Sequence, residues 1–559
     1  MEVVHPDEAL TFLLTSLDVT GCSCPVCCSE KNEENSAPEC IGCMSGFYLI
    51  RYYTMREKPI WEIKKVLEKF CVTLNFGKSN FCKDYINEFG DVMITIVKNT
   101  TNTAQEVCSF VYNLKCGNGD VNGHRWHLKI PGGKPPIVQH PVPKENTPKL
   151  KVLQITDTHY DPLYKEGTRD VCDDWLCCRV ESGKPKINES AAGMWGGWKC
   201  DIPEKTLDSF LNHVNSTQGP FDYILWTGDI PAHATWKQTK EESIYMLRST
   251  VKKILKYFPE TPIFPALGNH EASPPNLYPS PILNIPEVNS WLYDELARQW
   301  SLMLPKSSLK TVKYGAFYVA PVRPNLKIIS LNTNFCYSSN WWLILNSTDP
   351  GDMLKWFINE LKEAEDKNIK VHVIGHIPPG YIDCLKIWGK NFYDIISRFE
   401  NTVTAQFYGH THWDEIEIYY DSETSKRPIS VGYVGPSLTT FAYGNPGYRI
   451  YTIDGDHNET FYDVVDYECW IMNLKKSNIQ RKPIWEKLYA AKSDYELNSL
   501  LPVDWNKFYE RLKTDDDLME IYDRHYTKDY PYKPKCDHEC KRGHLFDIRS
   551  GVQYGPPQI

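Results

Sequence analysis

Five short stretches end an apolar run on side chains able to bind metal. LQITDTHYD brings Asp157 and His159, ILWTGDIPAH brings Asp229 and His233, FPALGNHE brings Asn269 and His270, HVIGHIPP brings His376, and FYGHTHW brings His410 and His412. Carboxylate, imidazole and amide oxygen together suit a borderline cation such as zinc, and also iron or manganese. One histidine in this position is ordinarily a satisfied structural residue. Five stretches with the same context point instead to one shared site, and seven candidate ligands are enough for a pair of metals. Glycine precedes Asp229, Asn269, His376 and His410, which reads as freedom for a sharp turn at the rim of a sheet. The D-x-H and H-x-H pairs read as two side chains on one side of an extended segment, because strand side chains alternate with a period of two.

Such a site needs a sheet to hold it. From Leu150 the chain alternates short apolar strands (KVLQIT, YILWTG, PIFPALG, KIISLN, VHVIG, TAQFYG) with amphipathic helices such as GDMLKWFINELKEAEDK. This is the pattern of an α/β layered domain, whose ligands gather where strands end and loops begin. At 559 residues, 42% hydrophobic and 13% aromatic, the chain can bury a sizeable core and divide into two or three domains. No run approaches the roughly eighteen consecutive apolar residues of a spanning helix, so no transmembrane segment is expected. The net charge of −9, with signs mixed along the chain, gives no footprint for nucleic acid. Protonating all sixteen histidines would add sixteen charges to −9 and give +7, drawing the molecule to anionic lipid at low pH.

The order D-x-H, G-D, G-N-H, G-H, G-H-x-H resembles the calcineurin-like metallophosphoesterase superfamily. DTHYDPLY, TGDIPAH, GNHE, NSTDP, GHIPPG, GHTHWDE and NPGYR are similar to the acid sphingomyelinase family within it. The resemblance implies an α/β (α+β layered) metallophosphoesterase sandwich holding two zinc ions per chain. Asp157, His159, Asp229 and His412 would hold one; Asp229, Asn269, His376 and His410 would hold the other, with Asp229 bridging. It implies cleavage of sphingomyelin to ceramide and phosphocholine by in-line attack of a metal-bridging hydroxide, favoured at acidic pH. Asn269 would orient the phosphate, and His233 and His270 would protonate the leaving oxygen or, on the plainer reading, bind a carboxylate behind the metals. Phe441 stands where the resembled family tends to have a tyrosine near the site. Two other functions fit the residues: a soluble phosphodiesterase acting on nucleotides or small phosphate esters, and a catalytically inactive lipid-binding protein.

Nineteen cysteines suit an oxidising compartment, and N-x-S/T sequons at Asn99, Asn188, Asn215, Asn346 and Asn458 agree. Secretion or the lysosome is therefore expected. The first residues, MEVVHPDEALTFLLTSLDVTGC, are acidic with a short apolar core, unlike a signal peptide, and read as a mature, truncated or mispredicted start. Six cysteines between Cys40 and Cys116, with helix-like patterning in IWEIKKVLEKFCVTL, resemble a saposin-like domain. That resemblance implies Cys40–Cys116, Cys43–Cys108 and Cys71–Cys82, and contact with lipid in membranes or lipoproteins; the same amphipathic pattern also fits packing on the next domain. The sphingomyelinase resemblance implies Cys172–Cys177, Cys178–Cys200, Cys336–Cys384 and Cys536–Cys540. Cys469 is left over, and with an odd total at least one cysteine is free or pairs between chains. The CSCPVCC cysteines (Cys22, Cys24, Cys27, Cys28) read as further disulfides in preference to a metal site. The expected layout is a Cys-rich segment (1–35), the saposin-like domain (36–120), a Pro-rich linker (121–149), the catalytic domain (150–465) and a helical C-terminal extension (466–559), in a monomer.

Overall fold

The computed structural model describes residues 38–549 apart from 75–76, 112–115, 117–124, 173, 284, 286–287, 289 and 442. The Cys-rich segment with Cys22, Cys24, Cys27 and Cys28 lies outside the described residues.

Twelve strands form the catalytic region: β1 (Lys149–Ile155), β2 (Tyr223–Trp226), β3 (Ile263–Pro265), β4 (Tyr318–Arg323), β5 (Leu326–Ser330), β6 (Lys370–Ile374), β7 (Val403–Tyr408), β8 (Glu415–Tyr420), β9 (Pro428–Val434), β10 (Gly447–Asp454), β11 (Val464–Met472) and β12 (Trp485–Ala490). They make two six-stranded sheets, in the orders β12-β11-β10-β1-β2-β3 and β4-β5-β6-β7-β9-β8. The strands read from the sequence are β1, β2, β3, β5, β6 and β7. They are parallel within their sheets, and β2 and β3 are buried at every residue, as expected of strands covered on both faces. Register places Ile155 beside Trp226 and Trp226 beside Pro265, with Ile374 beside Phe407 in the other sheet. The loops that follow these strands therefore leave from level ends. Gln154 Nε2 donates to Tyr408 O at 2.8 Å and to Thr227 Oγ1 at 3.2 Å, tying the two sheets together beneath those loops.

Among the described residues four helices precede the sheets: α1 (Pro38–Thr54), α2 (Ile60–Thr73), α3 (Ser79–Asn99) and α4 (Ala104–Val111). Disulfides Cys40–Cys116, Cys43–Cys108 and Cys71–Cys82 close them into a leaf, and Ile63, Leu67 and Phe70 of α2 share a buried cluster with Ile86 and Phe89 of α3. The leaf docks on the catalytic region through aromatic rings. Phe81, Tyr85 and Phe89 stack along α3, Phe81 meets Trp175 and Trp236, and Phe89 meets Trp341. Tyr48, Met55, Ile60 and Trp61 remain exposed, Met55 at 78% and Trp61 at 61%. Residues 125–148 contain no helix or strand and are strapped to the catalytic region, where Trp126 is buried and Leu128 N donates to Asn391 Oδ1 at 2.8 Å.

Four further disulfides, Cys172–Cys177, Cys178–Cys200, Cys336–Cys384 and Cys536–Cys540, lie in the catalytic region and beyond it; Cys469 is buried and unpaired among the described residues. The boundary expected between 465 and 466 falls inside β11, so β11 and β12 complete the first sheet before the C-terminal helices Pro502–Leu512, Asp516–Tyr526 and His538–Ile548 begin. Asn99, Asn188, Asn215 and Asn458 are exposed and Asn346 is half-buried. Among the described residues no helix is long and apolar enough to cross a membrane.

The docking face also contains a carboxyl. Ser273 Oγ donates to Glu88 Oε1 at 3.0 Å. Burial pushes Glu88 up to about 7, against this hydrogen bond and nearby Lys64, with Glu242 adding to the rise. An acid raised by folding binds its proton more tightly in the folded chain. Its stabilising effect is therefore full below the ordinary value near 4.5 and is lost as pH rises from there through 7. Glu88→Gln, which keeps the shape without the charge, is expected to raise the melting temperature by a few degrees at pH 7.5 and to change it little at pH 4.5. Thermal unfolding at both values checks this, and equal shifts would assign the effect elsewhere.

Candidate metal centre

The loops after β1, β2, β3, β6 and β7 bring all seven predicted ligands together, and their donor atoms fall into two sets. In the first, His159 Nε2 lies 3.8 Å from Asp157 Oδ1 and 3.4 Å from Asp229 Oδ2, and His412 Nε2 lies 3.5 Å from Asp157 Oδ1 and 3.2 Å from His159 Nε2. In the second, His376 Nε2 lies 3.1 Å from Asp229 Oδ2 and 2.8 Å from Asn269 Oδ1, which is 3.0 Å from His410 Nδ1. Asp229 Oδ2 belongs to both. His410 and His412, two residues apart, belong to different sets.

The backbone does this differently from the extended segments read in the sequence. Asp157, His159, Asp229, His410 and His412 all have left-handed φ, from 33° to 77°, a costly conformation for residues with a Cβ. Strain of this kind lets residues two apart aim at separate points. Of the four glycines before the ligands, Gly228 alone turns with positive φ, at 98°. The others answer to close approach: a Cβ on Gly268 would lie 2.0 Å from Asp229 Oδ1, and one on Gly409 would lie 2.5 Å from Asp157 Oδ2.

Each imidazole is oriented by its other nitrogen. His159 Nδ1 donates to Pro231 O at 2.6 Å, His376 Nδ1 to Thr227 O at 2.7 Å, His412 Nδ1 to Phe441 O at 3.4 Å, and His410 Nε2 to Asp383 Oδ2 at 3.1 Å. So oriented, each ring turns its remaining nitrogen into the donor set, toward Asp157 or Asp229 for His159, His376 and His412 and toward Asn269 Oδ1 for His410, the arrangement found in metal-ligating histidines. Burial pushes the Asp157 and Asp229 carboxyls up, yet imidazoles outweigh it, His159 and His412 for Asp157 and His376 and His270 for Asp229, holding both well below the usual range. In return His376, lowered by burial but faced by Asp229 and Asp157, is pushed up to about 9. Two buried carboxylates that draw protons onto neighbouring imidazoles form a centre suited to cations, and the seven residues fit a divalent pair.

His233 and His270 stand beside the first set, with ring centroids 4.0 and 4.7 Å from His159. His233 has a partner that the sequence reading missed. Asp201 Oδ1 accepts from its Nδ1 at 2.8 Å, Asp201 Oδ2 accepts from its backbone N at 2.7 Å, and Thr439 Oγ1 steadies the carboxylate at 2.9 Å. Asp201 follows Cys200 in a loop with no strand signal; its nearness to a cysteine was its only mark. Phe441 stacks on the His233 ring at 4.1 Å, so an apolar ring packs against a candidate proton donor. His270 N donates to Asp229 Oδ1 at 2.9 Å, and its Nδ1 is buried with no hydrogen-bond partner among the described residues. Asn269 Nδ2 donates to Asn276 Oδ1 at 2.8 Å, which keeps Asn269 Oδ1 turned toward His376 and His410.

The chain is similar to known proteins. The calcineurin-like phosphoesterase family matches residues 150–414. The sphingomyelin phosphodiesterase of Bos taurus is 39% identical over 505 residues, covering 90% of this chain and 80% of that protein. The Homo sapiens sphingomyelin phosphodiesterase is also 39% identical, covering 90% of this chain and 79% of its own. Sphingomyelin phosphodiesterase 2 of Caenorhabditis elegans is 35% identical and covers 93% and 88%. Residues 150–414 make up less than half of the chain, so similarity on this scale runs well outside the shared phosphoesterase core: the chain belongs to the sphingomyelin phosphodiesterase family.

Proposed function

We propose that this chain hydrolyses sphingomyelin to ceramide and phosphocholine, using two zinc ions and working best at acidic pH. The observation that carries the reading is the pair of donor sets sharing Asp229 Oδ2. Asp157, His159, Asp229 and His412 would hold one ion and Asp229, Asn269, His376 and His410 the other. Two such ions, once bound, supply the charge that clamps phosphoryl oxygens and lowers the pKa of water. The two carboxylates offset only part of that charge, which leaves the site attractive to an anionic phosphodiester.

The remaining work falls to the chain. Asn269 fixes the second set through Oδ1. His233, gripped at Nδ1 by Asp201, has Nε2 left to give a proton to the departing ceramide oxygen, and His270 stands ready on the Asp229 side. Burial, then the neighbouring His159 and His412, hold His233 well below its ordinary value, and burial does the same for His270. Either ring keeps its proton only in acid, and this supports an acidic optimum. The exposed Tyr48, Met55, Ile60 and Trp61 of the leaf are suited to an interfacial contact with lipid, and the disulfides with the exposed sequons support a secreted or lysosomal location.

Four outcomes are expected. Phosphocholine release from sphingomyelin in anionic liposomes should be chelator-sensitive and accompany about two zinc ions per chain; two zincs without release would move the search to soluble phosphodiesters. Asp229→Asn should lose both ions and all turnover, whereas retention of two zincs would remove its bridging role. A donor histidine loses its proton as pH rises, so the kcat profile should fall through an apparent pKa below about 6.5, and a fall centred above that would exclude His233 and His270. Trp61→Ala should cut turnover on liposomes several-fold and leave a soluble phosphodiester unaffected; equal losses on both substrates would make Trp61 structural.

A further inference from the structure

Among the four imidazoles of the donor sets, His159, His376 and His412 are oriented by backbone carbonyls. His410 is the exception: its Nε2 donates to a side chain, Asp383 Oδ2, at 3.1 Å. Asp383 lies in the loop after β6, past the stretch that carries His376, and that loop is closed onto the turn at 333–338. Cys384, the next residue, is disulfide-bonded to Cys336. Ser338 N donates to Asp383 O and Leu385 N to Cys336 O, each at 2.7 Å. The same turn serves the other imidazole of the second set, because Thr333 Oγ1 accepts from His376 N at 3.1 Å and from Ile377 N at 2.8 Å. Tyr337 and Tyr381 stand edge-on to the His410 ring at 5.2 and 6.1 Å. One covalently closed turn therefore supports both histidines of the second set.

From this arrangement we infer that Asp383 is a positioning residue for the second cation. Its carboxylate keeps the His410 proton on Nε2, so that Nδ1 presents its lone pair beside Asn269 Oδ1, and it fixes the ring plane. A carboxylate behind a ligating imidazole also raises the basicity of the ligand nitrogen, and removing such a partner weakens metal binding by roughly 10- to 100-fold. The inference rests on the two-cation reading of the site. The rival role for Asp383, whose side chain is 35% exposed, is direct contact with a cationic substrate headgroup. That role would alter KM and leave metal affinity unchanged.

The test uses the full chain loaded with zinc, with each ion's affinity measured by chelator competition. Asp383→Ala should weaken one of the two zincs by roughly 10- to 100-fold and leave the other as in the parent. Asp383→Asn, which keeps a neutral acceptor, should lose less. At saturating zinc, Asp383→Ala should recover most of its kcat with KM for sphingomyelin unchanged. Two zincs of parental affinity in Asp383→Ala, or a KM rise with zinc binding intact, would overturn the inference. A parent chain that binds fewer than two zincs would instead overturn the two-cation reading beneath it. Both variants keep every disulfide, and thermal unfolding alongside separates a loss of zinc from a loss of fold.

Discussion

The Asp229 carboxylate is shared, and the cost of burying it explains most of what surrounds it. Its Oδ2 faces His159 in one donor set and His376 in the other, its Oδ1 accepts from His270 N, and its backbone oxygen accepts from Thr158 N at 2.8 Å. A fully buried carboxylate beside a second one, Asp157, is tolerable only with positive charge or donors close by. Neighbouring imidazoles provide these, His159 and His412 for Asp157 and His376 and His270 for Asp229. Position matters as much as charge: consecutive positive φ values at Gly228 and Asp229 turn the side chain back over the sheet ends, and the bare Cα of Gly268 leaves room for its oxygen.

That dependence decides what could be read from the sequence. Central strands buried on both faces leave continuous apolar runs, so β1, β2, β3, β5, β6 and β7 were legible, and the ligands at their ends were legible with them. The antiparallel strands were not. β11 alternates buried and half-buried residues, and β4 is buried only in part, so neither contrasts with the loops beside it. Asp201 and Asp383 were invisible for another reason: each supports a histidine far away in the chain, 32 residues for Asp201 with His233 and 27 for Asp383 with His410, and such pairing exists only in three dimensions. Of the glycines read as turns, Gly228 is one, whereas Gly268 and Gly409 make room for a carboxylate oxygen; a missing Cβ beside a carboxylate and a left-handed turn leave the same letter. The disulfide pairing came from resemblance alone, since six cysteines by themselves allow fifteen arrangements.

The His410–His412 segment is braced from its far side as well. Asp414 pairs with Arg449 of β10 and accepts from Tyr489 OH of β12 at 2.6 Å, and its backbone N donates to Tyr526 O at 3.1 Å. Trp413 stacks on the Tyr526 ring at 5.2 Å. A buried ion pair is in general a weak source of stability, so what matters at Asp414 is the connection it makes. Here it links a strained ligand loop to strands and a helix that come late in the chain. The C-terminal residues are thus part of the support of the centre, even though none of them is in a donor set.

The helical leaf reaches the site from the other end of the sequence. Its docking rings meet Trp236, three residues after His233, and its Glu88 meets Ser273, three residues after His270. The loops that carry the candidate proton donors are therefore among those on which the leaf rests, beside the segments of Trp175 and Trp341. A lipid phosphodiester places unusual demands on a hydrolase, because the phosphorus must reach a buried charged centre while the chains stay in an apolar phase. Resting the leaf on these loops puts the surface suited to the apolar phase in mechanical contact with the groups suited to the leaving oxygen. Changes at the docking face can then reach His233 and His270 through only two or three peptide units, without passing through either sheet.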